Sequence, residues 1–122
     1  MSRVLPTILI IDDDLPTLAL YERELSRDYR VLTCTNEHAA LELFAAENLS
    51  AVVVEPAALG ERGWSLVTTL KRAATPRAIP IVVCTTQDAR RLGLELGASD
   101  YLVKPVLPTL LRRALNRVTE PS

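Results

Sequence analysis

Five short apolar runs, separated by stretches with helical spacing, constrain the fold of this chain more than any other feature. The first, third and fourth runs are almost continuous in apolar residues, which is typical of strands buried on both faces of a sheet. Strands joined through helices form parallel sheets with right-handed crossovers and helices on both faces. The sequence therefore predicts a single three-layer (βα)5 domain of the α/β class. Its predicted strands cover residues 8–11, 29–35, 51–54, 81–84 and 101–103.

The segments between these runs carry apolar residues at helical intervals. The first helix is predicted over residues 15–25 and the second over residues 36–46, where Thr35 or Asn36 can cap the free amides. The fourth helix is short, and Gly97 suits a left-handed terminator. The third helix has Val67, Leu70 and Ala74 on one face, and the fourth has Ala89, Leu92 and Leu96 on one side. The apolar residues of the fifth helix are Leu110, Leu111, Ala114, Leu115 and Val118.

Length and charge narrow the functional classes. A chain of 122 residues suits one domain, expected over residues 1–122 with a core over about 7–118. The formal net charge of -1 and the aromatic content of 4% favour neither nucleic acid nor an anionic membrane as a partner. No apolar run approaches the roughly 20 residues of a membrane helix, and the first six residues do not resemble a signal peptide.

The two cysteines indicate a reducing environment. Cys34 and Cys84 lie in apolar, β-branched stretches, without the spacing of a metal site. We expect both to be buried free thiols, and the expected location is the cytoplasm.

Polar residues follow four of the five predicted strands where each strand ends. They are Asp12-Asp13-Asp14, Glu55, Thr85-Thr86 and Lys104-Pro105. The carboxyl ends of parallel strands share one edge of the sheet, so these groups are expected to lie together. Clustered carboxylates repel one another and need a cation, and Mg²⁺ with one or two carboxylates and several waters would suit them.

These motifs resemble the receiver domain of bacterial response regulators over nearly the whole chain. The match rests on the string 8–14, with its acid pair after the first strand, and on the string 94–105, which ends in Lys104-Pro105. The resemblance implies a flavodoxin-like sheet with strand order 2-1-3-4-5, no enzymatic activity of its own, and a sensor histidine kinase or another signalling protein as partner. The implied roles are Asp12 and Asp13 for Mg²⁺, Thr85 and Tyr101 as switch residues, Lys104 for pairing with phosphate or carboxylate, and Pro105 for a cis peptide bond.

One departure from the family pattern is large. The family carries a phosphate-accepting aspartate at the end of its third strand and a glycine eight residues later, and that register places Glu55 and Gly63 here. The extra methylene moves the carboxylate by about 1.5 Å, and displacements near 1 Å cost on the order of 100-fold in positioned reactions. The leading interpretation is therefore a degenerate receiver, a pseudo-receiver in which the Glu55 charge weakly imitates a phosphoryl group beside Lys104 and Thr85.

Smaller departures accompany it. Leu59 stands where the family has a proline, while Pro56 follows Glu55 directly, and Thr86 fills a position that is usually small. The segment from Thr85 to Tyr101 is about three residues shorter than in the family, which shortens the fourth helix. Receivers commonly dimerise or bind partners through the face of the fourth helix, fifth strand and fifth helix. The short fourth helix argues against that mode here, and a homodimer is kept only as one form of partner contact, with no face assigned to it.

Three alternatives compete with this interpretation. A true phospho-acceptor would use Glu55, with Asp12 and Asp13 holding Mg²⁺. A flavodoxin-like cofactor binder would need a glycine-rich phosphate loop, and the four glycines form none. A DNA-binding output would need added length that the chain does not have. His38 is expected at the surface, and Trp64 as a packing residue, or as part of a partner site if exposed.

Overall fold

The structure, a computed structural model that describes residues 4–120, contains five parallel strands between two layers of helices. The strands are ordered β2-β1-β3-β4-β5, so the predicted α/β fold and strand order are both confirmed. The strands are β1 (Thr7–Ile11), β2 (Arg30–Cys34), β3 (Ala51–Val54), β4 (Ile81–Thr85) and β5 (Asp100–Val103). The α-helices are α1 (Leu15–Leu25), α2 (Glu37–Ala46), α3 (Gly63–Ala74), α4 (Arg90–Glu95) and α5 (Pro108–Thr119), with 3₁₀ segments at Pro56–Arg62 and Thr75–Arg77.

The sheet buries both of its faces, because side chains alternate between them along each strand. One face, with Leu9, Val52 and Val83, packs against α2 and α3. The other face, with Ile10 and Val53, packs against α1 and α5. Every residue of β3 and β4 is buried, which explains why these two runs are continuously apolar up to Thr85.

The two thiols lie on opposite faces of this sheet. Cys34 belongs to the core on the side of α2 and α3, and Cys84 to the core on the side of α1 and α5. Both are buried and free, as predicted. Burial raises the pKa of each thiol to about 11, so both are protonated at neutral pH.

The short helix α4 has six residues and differs from the prediction in the residues it buries. Its buried residue is Gly93, whereas Leu92, expected to face inward, is 43% exposed, and Leu94 is 48% exposed. The ring of Tyr101 occupies the space beneath the helix, so a residue without a side chain is required there. Gly97 follows the helix with φ 101°, as expected of a terminator. On α5, Leu110 is likewise exposed.

None of the helices within residues 4–120 is both long and apolar enough to cross a membrane.

Candidate functional site

Three charged residues lie immediately beyond the ends of three strands and are positioned by their own backbone. The amide of Asp12 donates to the carbonyl of Cys34, the last residue of β2. The amide of Glu55 donates to Ile11 at the end of β1, and the amide of Lys104 donates to Thr85 at the end of β4. The hydrogen bonding between neighbouring strands thus continues for one residue past each of the three strands. It fixes the backbone positions from which the three side chains extend.

The side chains of these residues converge at the carboxyl edge of the sheet. The Lys104 ammonium Nζ lies 2.6 Å from Asp12 Oδ2 and 3.6 Å from Glu55 Oε1. Asp12 is 3% exposed and Glu55 is 5% exposed, so the two carboxylates share this ammonium largely out of contact with water. The sequence reasoning expected this convergence, and the structure brings Asp12, Glu55 and Lys104 together as an acid–lysine cluster.

Burial and charge act in opposite directions on Lys104. Burial by itself would lower the pKa of the ammonium, but the hydrogen bond to Asp12 and the charges of Asp12 and Glu55 outweigh it and raise the pKa. Lys104 is therefore firmly charged, and it balances part of the negative charge that the strand ends bring together.

The Glu55 carboxylate has a second role in the backbone. Its Oε2 accepts a hydrogen bond of 3.3 Å from the amide of Ala57, so Glu55 caps the 3₁₀ segment that begins at Pro56. The 3₁₀ turns of this segment are broken at Gly60, where φ is 67°. Both oxygens of the Glu55 carboxylate thus face protein donors, one an ammonium and the other an amide.

The two other aspartates of the run that follows β1 have different surroundings. Asp14 caps α1, because its Oδ2 accepts a hydrogen bond of 3.1 Å from the Thr17 amide and another from the Thr17 hydroxyl. The hydrogen bonds from Thr17 lower the pKa of Asp14. Asp13 is exposed to solvent. The three adjacent aspartates therefore have three different environments.

Thr85 and Thr86 separate in the same way. Thr85 is fully buried, and its hydroxyl accepts a hydrogen bond of 3.3 Å from the amide of Gln87. Thr86 is exposed and lines an open cavity of about 400 Å³ beside Lys104. Pro105, also on this cavity, follows a cis peptide bond.

Tyr101 lies deeper, on the α3 side of the sheet, and is 1% exposed. Its hydroxyl donates to the Gln87 carbonyl at 2.6 Å and accepts from the Ala89 amide at 3.1 Å. The ring stacks with Trp64, with centroids 6.3 Å apart and an interplanar angle of 8°. Trp64 is thus a partly buried packing residue. Sequence reasoning missed Gly93, whose contact with this ring is not visible without the packing of β5 against α4.

His38 is exposed, as expected, and pairs with Glu42 at 2.9 Å on the surface of α2.

The fold and the site together define a signalling domain of the receiver type. The sequence pattern of the family described as response regulator receiver domain matches residues 8–116. This chain belongs to the response regulator receiver domain family.

Individual relatives agree with this assignment. The two-component response regulator ORR3 of Oryza sativa subsp. indica is 31% identical over 118 residues, covering 93% of this chain and 90% of that protein. A probable cyclic di-GMP phosphodiesterase of Vibrio cholerae is 30% identical over 109 residues, which are 87% of this chain but 25% of that protein. The N-terminal signal receiver domain of a two-component system response regulator from Bacteroides fragilis superposes with a TM-score of 0.86 at 25% identity, covering 98% of this chain and 100% of that one.

Receiver domains generally act as signalling modules that interact with histidine kinases and other signalling proteins, and they typically bind Mg²⁺ at their acidic site. In residues 4–120, no group of three His, Cys, Asp or Glu side chains surrounds a common point. The donor chemistry nevertheless fits Mg²⁺, which often uses one or two protein carboxylates and completes its shell with water. An ion bound by Asp12 would have to share that carboxylate with Lys104.

Proposed function

We propose that this chain is a degenerate receiver module of a two-component phosphorelay pathway, and that it acts through protein–protein contacts with Glu55 in place of the phospho-acceptor aspartate. The observation that carries the proposal is the engagement of both Glu55 oxygens inside the protein. Oε1 faces the Lys104 ammonium at 3.6 Å, and Oε2 accepts from the Ala57 amide at 3.3 Å.

This arrangement opposes phosphotransfer. In that reaction a carboxylate oxygen attacks phosphorus in line with the leaving group, forming a new O–P bond as the bond to the leaving group breaks. The Glu55 oxygens would have to give up a buried charge contact or a cap before attacking. The longer side chain also misplaces them relative to an aspartate, so we propose that acceptance of phosphate is absent or very slow.

The same geometry suits a weak imitation of the phosphorylated state. Glu55 holds a fixed negative charge beside Lys104 without needing a phosphoryl donor. The carboxylate nevertheless has fewer oxygens and less charge than a phosphoryl group. Asp12 and Asp13 would hold Mg²⁺ if it binds. The ion would then neutralise part of the negative charge of a phosphoryl group. In this proposal the output depends on the surface that the domain presents and not on turnover.

The partners would be a sensor histidine kinase or another protein of the pathway, with a homodimer as one form of such contact. Two buried free thiols suit a reducing compartment, and we propose the cytoplasm.

Intact mass spectrometry after incubation with acetyl phosphate and Mg²⁺ tests this proposal. We expect no phosphate gain for the unmodified chain and a gain for Glu55→Asp, which restores the shorter carboxylate and serves as the matched positive control. A stoichiometric gain in the unmodified chain that Glu55→Gln abolishes would favour the alternative, in which Glu55 is itself the acceptor, and would refute the degenerate receiver.

A further inference from the structure

We propose that Gly93, Trp64 and the backbone of residues 87–89 form a slot that holds Tyr101 in one buried position, whatever the state of Glu55. Tyr101 would then keep a single rotamer and anchor the loop between β4 and α4. We refer to this arrangement as the Tyr101 slot.

Gly93 determines the space in the slot. A Cβ atom built at position 93 would lie 2.4 Å from Cδ2 and 2.6 Å from Cε2 of the Tyr101 ring, well inside any tolerated contact. These atoms belong to a rigid ring that is 1% exposed. Only glycine at position 93 is therefore compatible with the buried position of the ring. Any residue with a Cβ atom would force the ring or the helix to move.

Trp64 and the loop hold the ring from other directions. The parallel rings of Trp64 and Tyr101 are within the range of favourable offset stacking. The Tyr101 hydroxyl uses both of its hydrogen-bonding capacities on backbone, one as donor to Gln87 and one as acceptor from Ala89. Outward movement of the ring would break both hydrogen bonds, lose the stacking and leave a void under α4.

These contacts connect the slot to the loop, and none of them includes the acid–lysine cluster. The Gln87 amide donates a hydrogen bond to the Thr85 hydroxyl. Hydrogen bonds therefore hold the segment 85–89 both at Thr85 and at the Tyr101 hydroxyl. The interactions that hold Tyr101 are therefore complete without any change at Asp12, Glu55 or Lys104. The inference goes beyond the proposed function and can fail independently of it.

Fluorine NMR of the chain labelled with 3-fluorotyrosine provides the test. The chain has three tyrosines, and the Tyr101 signal is assigned by its loss in Tyr101→Phe. We expect the same set of Tyr101 resonances, in number and position, in the unmodified chain, in Glu55→Asp and in Glu55→Gln. The comparison between variants is decisive because a fluorine on either edge of a ring that cannot flip can itself give two signals. A Tyr101 resonance that either Glu55 substitution creates, removes or moves to the position of a solvent-exposed tyrosine would overturn the slot, while phosphate gain at Glu55 would bear on the proposed function alone.

Gly93→Ala tests the packing directly, because helix propensity and the slot predict opposite signs. Alanine is the better helix former, so propensity alone predicts a higher Tm. The slot predicts a lower Tm, a displaced Tyr101 resonance and altered Trp64 fluorescence. Leu94→Ala, on the exposed side of the same helix, should leave the Tyr101 resonance in place.

A folded Gly93→Ala variant with a higher Tm and an unmoved Tyr101 resonance would overturn the inference. Should this variant fail to fold, the comparison of the Tyr101 resonances between the unmodified chain and the Glu55 variants still decides the question.

Discussion

Lys104 shows at the scale of one residue how this site is held together. Its ammonium lies between two carboxylates that are almost fully buried, and its own side chain is 16% exposed. A buried charge that loses its partner costs far more than an exposed one, because water cannot replace the lost interaction. The contribution of Lys104 to stability should therefore be unusually large for a lysine.

We expect Lys104→Met to lower the free energy of unfolding by about 3 kcal/mol at neutral pH, because it leaves Asp12 and Glu55 without their shared cation. Urea denaturation measures this change. The chain has one other lysine, Lys71, and Lys71→Met is the matched control, with a much smaller expected effect. Equal losses in the two variants would contradict the acid–lysine cluster.

The thiols provide a second prediction at this scale. Since burial raises the pKa of Cys34 and Cys84 to about 11, neither is a reactive thiolate near neutral pH. Iodoacetamide at about pH 8 should leave both unmodified in the folded chain and alkylate both in denaturant, as read by intact mass. Rapid alkylation of the folded chain would show that the two cores are open.

Residue roles were only partly predictable from sequence. The residues that follow the strands identified Asp12, Glu55 and Lys104, because parallel strands deliver their ends to one edge. Asp12 and Asp13 have the same implied role in the sequence, because their side-chain directions depend on how the chain turns into α1. Nor did the sequence show that Glu55 caps the following 3₁₀ segment.

At the scale of elements, the sequence allows either Thr35 or Asn36 as the residue that caps the start of α2. The structure selects Asn36, whose Oδ1 accepts a hydrogen bond of 2.8 Å from the Ala39 amide. We expect Asn36→Ala to cost about 1 kcal/mol in urea denaturation, which is typical of a lost cap. Asn48→Ala, at an exposed position outside any helix, is the control, and a similar loss there would argue against capping as the cause.

Helix α4 shows where reasoning by element fails. The spacing of Ala89, Leu92 and Leu96 predicts one apolar side, but a six-residue helix has too few turns for the spacing to decide which side is buried. The inner position is set by Tyr101, which comes from β5, so the requirement for Gly93 arises from tertiary packing.

At the scale of the whole molecule, the strand order and the family could be recognised from the sequence. Five apolar runs, the connecting helices and the residues after the strands all point to the same topology, and such consistency across levels is what specifies a fold. The short α4 leaves that topology intact, since all five strands pair in parallel register.

Alkaline pH should destabilise the molecule through several groups at once. Burial raises the pKa of Tyr21 and Tyr101, and the pKa of Lys104 is raised because its acidic partners outweigh burial. A raised pKa in the folded state gives stability that is complete below the ordinary value, 10.0 for tyrosine and 10.5 for lysine, and is lost as pH rises through the folded value.

We therefore expect Tm to fall steeply between about pH 10 and pH 12, measured by circular dichroism. Tyr21→Phe removes one of the titrating groups and should make the fall shallower. An unchanged slope in that variant would show that Tyr21 ionises equally easily in the folded and unfolded chain.

The ladder bonds that continue past the strand ends have a consequence for the fluctuations of the domain. The amides of Asp12, Glu55 and Lys104 are bonded to the ends of β2, β1 and β4, in a region where chains usually fray. Their side chains are joined through one ammonium, so local opening at any one of these strand tips disturbs the other two. Deuterium uptake at the three amides should therefore be slow and should accelerate together when the Lys104 charge is removed.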